Sequence, residues 1–183
     1  MSRDRVVVCK FCAPCLIRII GWGFFLFVMK TLEQAAQDRI LILDGAMGTM
    51  IQRLGLTEED FHPKGMEEHH ILLKGNNELL SLSRPEAIRL IHEQYLEAGA
   101  DIVETNTFSA TTIAQGEHQC EPLVREMNVR SAQLAKQACA KYTAMDPGKP
   151  RFVAGAIGPM NKTASLSPDV NDPGYRAVTF DQL

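Results

Sequence analysis

Positive charge is in short supply in this chain: 19 lysines and arginines face 22 aspartates and glutamates, a formal net charge of −3. Nucleic-acid backbones are bound by basic faces. No window here clusters Lys or Arg among aromatics, so nucleic acid is excluded as the main partner. Aromatics are scarce as well, at 7% with a single tryptophan. The five cysteines (Cys9, Cys12, Cys15, Cys120 and Cys139) are odd in number, and three crowd into one short stretch. That is no disulfide framework, and it points to a reducing cytoplasm. Low-complexity tracts and short internal repeats are missing too. What is present is an ordinary globular composition, 45% hydrophobic and 22% charged over 183 residues, which suits about one domain.

Residues 1–29 differ from everything after them. Val6 to Met29 is apolar, rich in Phe and free of acids. Its charge-free part, Ile19 to Met29, is shorter than the roughly 17–25 residues a membrane span needs. No small-x-small cleavage site follows, as a signal peptide would require. Cys9-x-x-Cys12-x-x-Cys15 has a metal-ligand spacing without a fourth ligand nearby. Two readings of this apolar leader stand: a start codon set too early, with Met29-Lys30-Thr31-Leu32 as the natural amino terminus, or a membrane-associated segment. A membrane is not expected among the main partners, and residues 30–183 form the folded part.

Within that part, a short helix after Met29 leads to Arg39–Leu43, an apolar run of the kind buried on both faces in parallel sheets. Residues 55–82 carry Gly65, Gly75 and Asn76-Asn77 as breakers and read as loop with short helical pieces. Ser83-Arg84-Pro85-Glu86 predicts a helix start, with Ser83 as cap and Glu86 reaching back. Ile88, Ile91, Tyr95 and Ala98 share its buried face, and Gly99 ends it. Ile102-Val103 is a strand interior running into Glu104, Thr105 and Asn106. A second helix carries the stripe Leu123, Met127, Leu134, Ala138 and Tyr142. Arg151 to Pro159, "RFVAGAIGP", is a third strand. Strands alternating with helices predict a parallel α/β fold. In such folds the strands' carboxyl ends share one edge, which is the ligand face.

Asp44, Glu104, Asn106 and the Gly158-Pro159 turn gather at that edge. Asp44, in "LDGAMGTM", has two readings: a turn former before glycine, or a holder of a cationic group. A nucleophilic aspartate of the phosphatase type would want a second acid two positions on, where Ala46 sits. Gly45-x-x-Gly48 lacks the order of a dinucleotide fingerprint. Glu104 and Asn106 alternate with threonines, so both could face one cavity or belong to a structural hydrogen-bond network. His69 and His70 read as solvated, and Cys139 as core.

These residues sit in blocks that resemble the homocysteine-binding domain of cobalamin-dependent methionine synthase. The blocks are "ILDGAMGTMIQ" (Ile42 to Gln52), "LKGNNELLSLSRPEAI" (Leu73 to Ile88), "YLEAGADIVETNTFSATTIAQ" (Tyr95 to Gln115), "RFVAGAIGPMNKTASLSPDV" (Arg151 to Val170) and "DPGYRAVTFDQL" (Asp172 to Leu183). They cover about residues 31–183, and "KGNNELL" and "GPMNKT" point to the methionine synthase branch. The resemblance implies the first three βα units of a TIM (β/α)8 barrel, incomplete in this chain. It implies that Asp44 holds the homocysteine ammonium and that the amides around Ala46, Met47 and Gly48 receive its carboxylate. Glu104 and Asn106 would line the pocket, with Gly158, Pro159 and Asn161 at its rim. The full-length parent would use zinc, held by three cysteine thiolates, and cobalamin. Its downstream folate- and cobalamin-binding modules would be partners of this segment.

The family's zinc cysteines lie in an Asn-Cys segment and a Gly-Gly-Cys-Cys segment, and neither occurs in this sequence. Residues 30–183 also fall short of the about 250 residues of a complete barrel. No catalytic residue and no metal ligand is therefore assigned within the chain. Two expectations stand. One is the amino-terminal piece of a homocysteine S-methyltransferase, inactive by itself and binding no cofactor alone. The other is a catalytically inactive fragment or binding module. Three strands of eight would leave open sheet edges and an uncovered apolar face.

Overall fold

Thr31 opens the first helix by a reciprocal cap: its hydroxyl accepts from the Gln34 amide, and the Gln34 side chain accepts from the Thr31 amide. The computed structural model describes residues 30–183. The apolar leader, with Cys9, Cys12 and Cys15, lies outside the described residues. The helices are α1 (Leu32–Asp38), α2 (Met47–Gln52), α3 (Leu80–Ser83), α4 (Pro85–Glu97), α5 (Thr112–Gln115) and α6 (Val124–Met145). Short 3-10 turns include Glu58–Phe61 and Asn77–Leu79. Two strands, β1 (Ile102–Glu104) and β2 (Phe152–Ala154), run parallel with Val103 opposite Val153. With α6 between them they form a strand–helix–strand crossover, and the whole is a mixed helix–sheet structure. Among the described residues no helix is long and apolar enough to cross a membrane.

The expected first strand is an extended segment with a single parallel bridge, Leu43 to Ile102. The Ile42 carbonyl accepts from the Asp101 and Ile102 amides, and the Asp44 amide donates to the Ile102 carbonyl at 2.9 Å. Contrary to the expectation of two buried faces, Ile40 is 90% and Ile42 58% exposed. The physical reason is that no layer among the described residues covers the side chains of Ile40 and Ile42, whereas Leu41 between them is half-buried. Its base is nonetheless anchored. Arg39 makes a bidentate pair with the buried Asp101 carboxylate at 2.6 and 2.7 Å, and the Ile42 amide adds a third bond.

The start of α4 also departs from expectation. Ser83 does not cap it; the Ser83 hydroxyl donates back to the Leu79 carbonyl. Arg84 takes the cap position at φ −132°, ψ 54°, because the residue before a proline is driven out of the helical region. Ile88, Ile91 and Leu96 are buried on α4, whereas Ala98 is exposed. Gly99, at φ +112°, ends the helix in a conformation that favours glycine. On α6, Met127, Leu134 and Ala138 are buried as predicted and Tyr142 is half-buried; Leu123, also half-buried, lies in the 3-10 turn just before the helix.

The core has two centres. Leu96, Val103, Ala135, Ala138 and Cys139 pack α4 and α6 against β1. Residues of the long segment before α4, including Ile51, Phe61, Leu73, Leu79 and Leu80, build a larger centre with Ile88, Ile91, Met127 and Leu134. That segment therefore brings its own apolar ballast to the helices. Glu93 on α4 pairs with Arg89 and, at 2.6 Å, with Lys141 on α6.

Candidate functional site

Asp44 stands where the extended segment ends and α2 is about to begin. Both of its carboxylate oxygens lie 3.1 Å from the Glu104 amide at the end of β1. The carboxylate is half-buried, and no Lys or Arg among the described residues forms an ion pair with it. Burial pushes its pKa up to about 6, against the pull of the Glu104 amide, and the Glu104 charge adds to the rise. Asp44 and Glu104 thus place two carboxyl groups side by side with no cationic side chain paired to either among the described residues.

Ala46 is the cap residue of α2, with no side-chain cap. The amides of Met47 and Gly48 fall in the first helical turn, where a helix offers its N–H groups no internal acceptor. Neither Gly45 nor Gly48 uses a positive φ; those glycines are Gly55, Gly65, Gly75 and Gly99. Their role lies in the missing side chain. A Cβ on Gly45 would sit 3.1 Å from the Tyr95 hydroxyl oxygen, while one on Gly48 would meet nothing nearer than Asn77 Nδ2 at 3.7 Å. A side chain at Gly45 would therefore press on the Tyr95 ring end, whereas Gly48 has room for a methyl group.

The other expected residues do not converge on one cavity. Glu104 is exposed, whereas Asn106 is buried, its amide donating to the Asn77 carbonyl at 2.7 Å and to the Ser81 hydroxyl. The strand ends at Glu104, so its two-residue alternation does not carry on to Asn106. Thr105 and Thr107 are buried and tie this turn to the one after β2: Thr107 donates to the Ala156 carbonyl, and the Ala156 amide donates to Thr105. Gly158 completes that seam. Its amide donates to the Phe108 carbonyl, and a Cβ there would meet the Phe108 ring at 2.5 Å. Asn161 lines a separate small cleft of about 150 Å³ with the buried Asn76, Glu78 and Gln115.

Several details were beyond sequence reasoning. His69 is half-buried rather than solvated, its Nε2 against the His118 carbonyl at 2.8 Å, while His70 is exposed. Tyr95, expected as part of an apolar stripe, donates its hydroxyl to the Ala46 carbonyl at 3.2 Å. Its place over the Gly45–Ala46 turn needs the tertiary fold to be seen. Asp101, at the opposite end of the strands, is held down near a pKa of about 2: burial raises it, but Arg39, the Ile42 amide and Lys149 outweigh burial.

Zinc, which the family resemblance implies, can be tested against the thiols present. Cys120 and Cys139 are buried, and each donates its S–H to a carbonyl, that of His118 and of Phe152 respectively. Burial raises both thiols, Cys139 to about 12. A metal-binding thiolate needs the opposite shift. Among the described residues no three His, Cys, Asp or Glu side chains come together to hold a metal. The described residues do not fit a zinc centre.

A homocysteine S-methyltransferase family model matches residues 41–183. The chain belongs to this family. Solved structures of the homocysteine methyltransferase MmuM from Escherichia coli resemble it in fold. The oxidised form is 27% identical with a TM-score of 0.56, over 70% of this chain and 40% of that one. The metallated form is 28% identical with a TM-score of 0.53, over 69% and 41%. The homocysteine S-methyltransferase domain here thus spans about two-fifths of the length of those enzymes. The family is of the TIM-barrel type, and its match begins within the extended segment that delivers Asp44.

Proposed function

We propose that residues 30–183 are the amino-terminal part of a homocysteine-binding (β/α)8 barrel, comprising its first three βα units. One observation carries this reading. The Asp44 carboxylate, beside Glu104 and without a cationic partner among the described residues, adjoins the first-turn amides of α2. An amino acid presents complementary ends: its ammonium suits Asp44, and its carboxylate suits the amides around Ala46, Met47 and Gly48. Glu104 adds negative charge near the ammonium. Asn106 and Gly158 support the site by holding the turns after β1 and β2, and Asn161 belongs to the loop that would form its rim.

The "KGNNELL" and "GPMNKT" blocks favour the methionine synthase branch, in which methylcobalamin, recharged from methyltetrahydrofolate, methylates the homocysteine thiol to give methionine in the cytoplasm. Zinc supplies a thiolate at neutral pH in that chemistry. The zinc thiolates and the folate- and cobalamin-binding modules would then lie on a longer parent chain. A second reading, a binding module without turnover, is favoured by the buried, carbonyl-bonded state of Cys120 and Cys139.

Calorimetric titration of the chain with L-homocysteine tests the shared part of both readings. Binding is expected, and Asp44→Asn should weaken it ten-fold or more. Equal affinity in Asp44→Asn would overturn the proposal. The two readings separate on the intact mass of the native product: a mass far above 20.3 kDa selects the methyltransferase, and one at that value selects the module.

A further inference from the structure

We infer that Tyr95 is the positioning residue of the amino-acid site, locking the Gly45–Ala46 turn so that Asp44 and the α2 amides hold their relative places. The inference rests on the homocysteine-binding reading and extends it to a residue on a different element. Tyr95 reaches across from α4, 49 positions along the chain from Ala46, to donate its hydroxyl to the Ala46 carbonyl at 3.2 Å. Its ring edge also closes on Gly45, where an added Cβ would find the ring carbon Cε1 at 3.2 Å and the hydroxyl oxygen at 3.1 Å. Tyr95 thus holds the turn by a hydrogen bond at Ala46 and leaves little room for a side chain at Gly45.

What this grip governs is the link between the two halves of the site. Asp44 is pinned from its amino side, where its own amide bonds to Ile102, and through its carboxylate at the Glu104 amide. Met47 packs the start of α2 against the core, but no side-chain hydrogen bond fixes it, because Ala46 has no capping side chain. Tyr95 supplies that missing constraint. The sequence of contacts is α4 to turn to α2, so loss of the hydroxyl should disturb the carboxylate-binding amides before it disturbs the ammonium-binding acid. Phenylalanine keeps the ring, the packing on Gly45 and the helix, and removes only the hydrogen bond.

The test uses the full 183-residue chain and two probes: L-homocysteine, and its decarboxylated analogue, an aminoalkanethiol that retains the ammonium but has no carboxylate. Tyr95→Phe should bind L-homocysteine about five-fold more weakly, the scale of one neutral hydrogen bond, and bind the analogue unchanged. In the ligand-free chain, the Ala46 carbonyl and the Met47 amide resonances followed by NMR should shift in Tyr95→Phe, because the hydrogen bond to the Ala46 carbonyl is lost, while the Asp44 carboxyl titration stays where it is. Equal weakening toward both probes, or turn resonances that do not move, would overturn the positioning role. If the unsubstituted chain binds neither probe while the turn resonances still move, the homocysteine reading falls and the grip of Tyr95 on the turn stands.

Discussion

His92 and Asp44 carry opposite proton linkages, and their sum shapes the acid side of the stability profile. His92 is fully buried on α4 with neither ring nitrogen hydrogen-bonded, and burial lowers its pKa to about 4. The unfolded chain, with an ordinary imidazole near 6.5, binds the extra proton between those values, so stability is lost as pH falls from about 6.5 to 4. The linkage amounts to about 3 kcal/mol. Asp44 runs the other way. Its folded pKa near 6 lies above the ordinary 3.8, so its contribution is lost as pH rises through that window. Urea midpoints measured from pH 4 to 7 should therefore vary little in the unsubstituted chain. They should fall steeply toward acid in Asp44→Asn, and rise toward acid in His92→Leu. A matching slope in both variants would sink this account. Asp101 is simpler: its pKa near 2 means stability present above about 3.8 is lost as pH falls toward 2. Asp101→Asn, which strands Arg39 and Lys149, should cost about 2–4 kcal/mol at neutral pH.

Helix ends and the seam between the two strand-end turns decide stability at the scale of elements. Ser83→Ala should change the unfolding free energy by less than about 0.5 kcal/mol, because Ser83 is not the cap of α4 and its bond to Leu79 is a weak local one. Gly99→Ala should cost about 1–2 kcal/mol, since an L side chain is strained at φ +112°. Chemical denaturation of the two variants side by side checks both, and the reverse ranking would refute the assignment of the α4 ends. At the seam, Gly158→Ala forces a methyl group into the Phe108 ring and its carbonyl oxygen, 2.6 Å away. Overpacking of this kind typically costs about 1–3 kcal/mol. Thermal unfolding that leaves Gly158→Ala unaffected would show that the turn after β2 yields freely.

Among the described residues the sheet has an open edge: Ile40, Ile42 and Leu43 are exposed at 90%, 58% and 48% on the segment that pairs with β1 on one side. Apolar residues on an unpaired edge invite association. The chain is expected to self-associate with rising concentration, and the double variant Ile40→Lys, Ile42→Lys should suppress this without altering the fold. Sedimentation velocity reads the result; unchanged association in the variant would move the cause to another surface. The same architecture explains why the ligand-face residues are only partly enclosed. Asp44 has the Glu104 amide as neighbour and Tyr95 on the adjoining Gly45–Ala46 turn, while a cleft of about 390 Å³ is lined instead by residues such as Thr112, Lys162 and Gln182.

Local patterning made the alternation of strands and helices legible, because apolar period and helix-ending glycine are properties of a few adjacent residues. Gly99, the stripe of Met127, Leu134 and Ala138, and the strand interior at Ile102-Val103 needed nothing more, whereas the third strand, expected over Arg151 to Pro159, is shorter, Phe152–Ala154. The blocks around Asp44 likewise carried the family, since several ordered motifs constrain identity more than any single one. Tertiary structure decided most of the rest. The fate of Ser83 depended on the proline two positions on, and the exposure of Ile40 and Ile42 depended on how many neighbours the sheet supplies. The burial of Asn106 followed from the strand stopping at Glu104, and the duty of Tyr95 from α4 lying across the turn at Ala46. The Ser83 case is local, a proline effect that the capping pattern masked; the others are set by contacts between residues far apart in the chain, whose energies no local pattern contains.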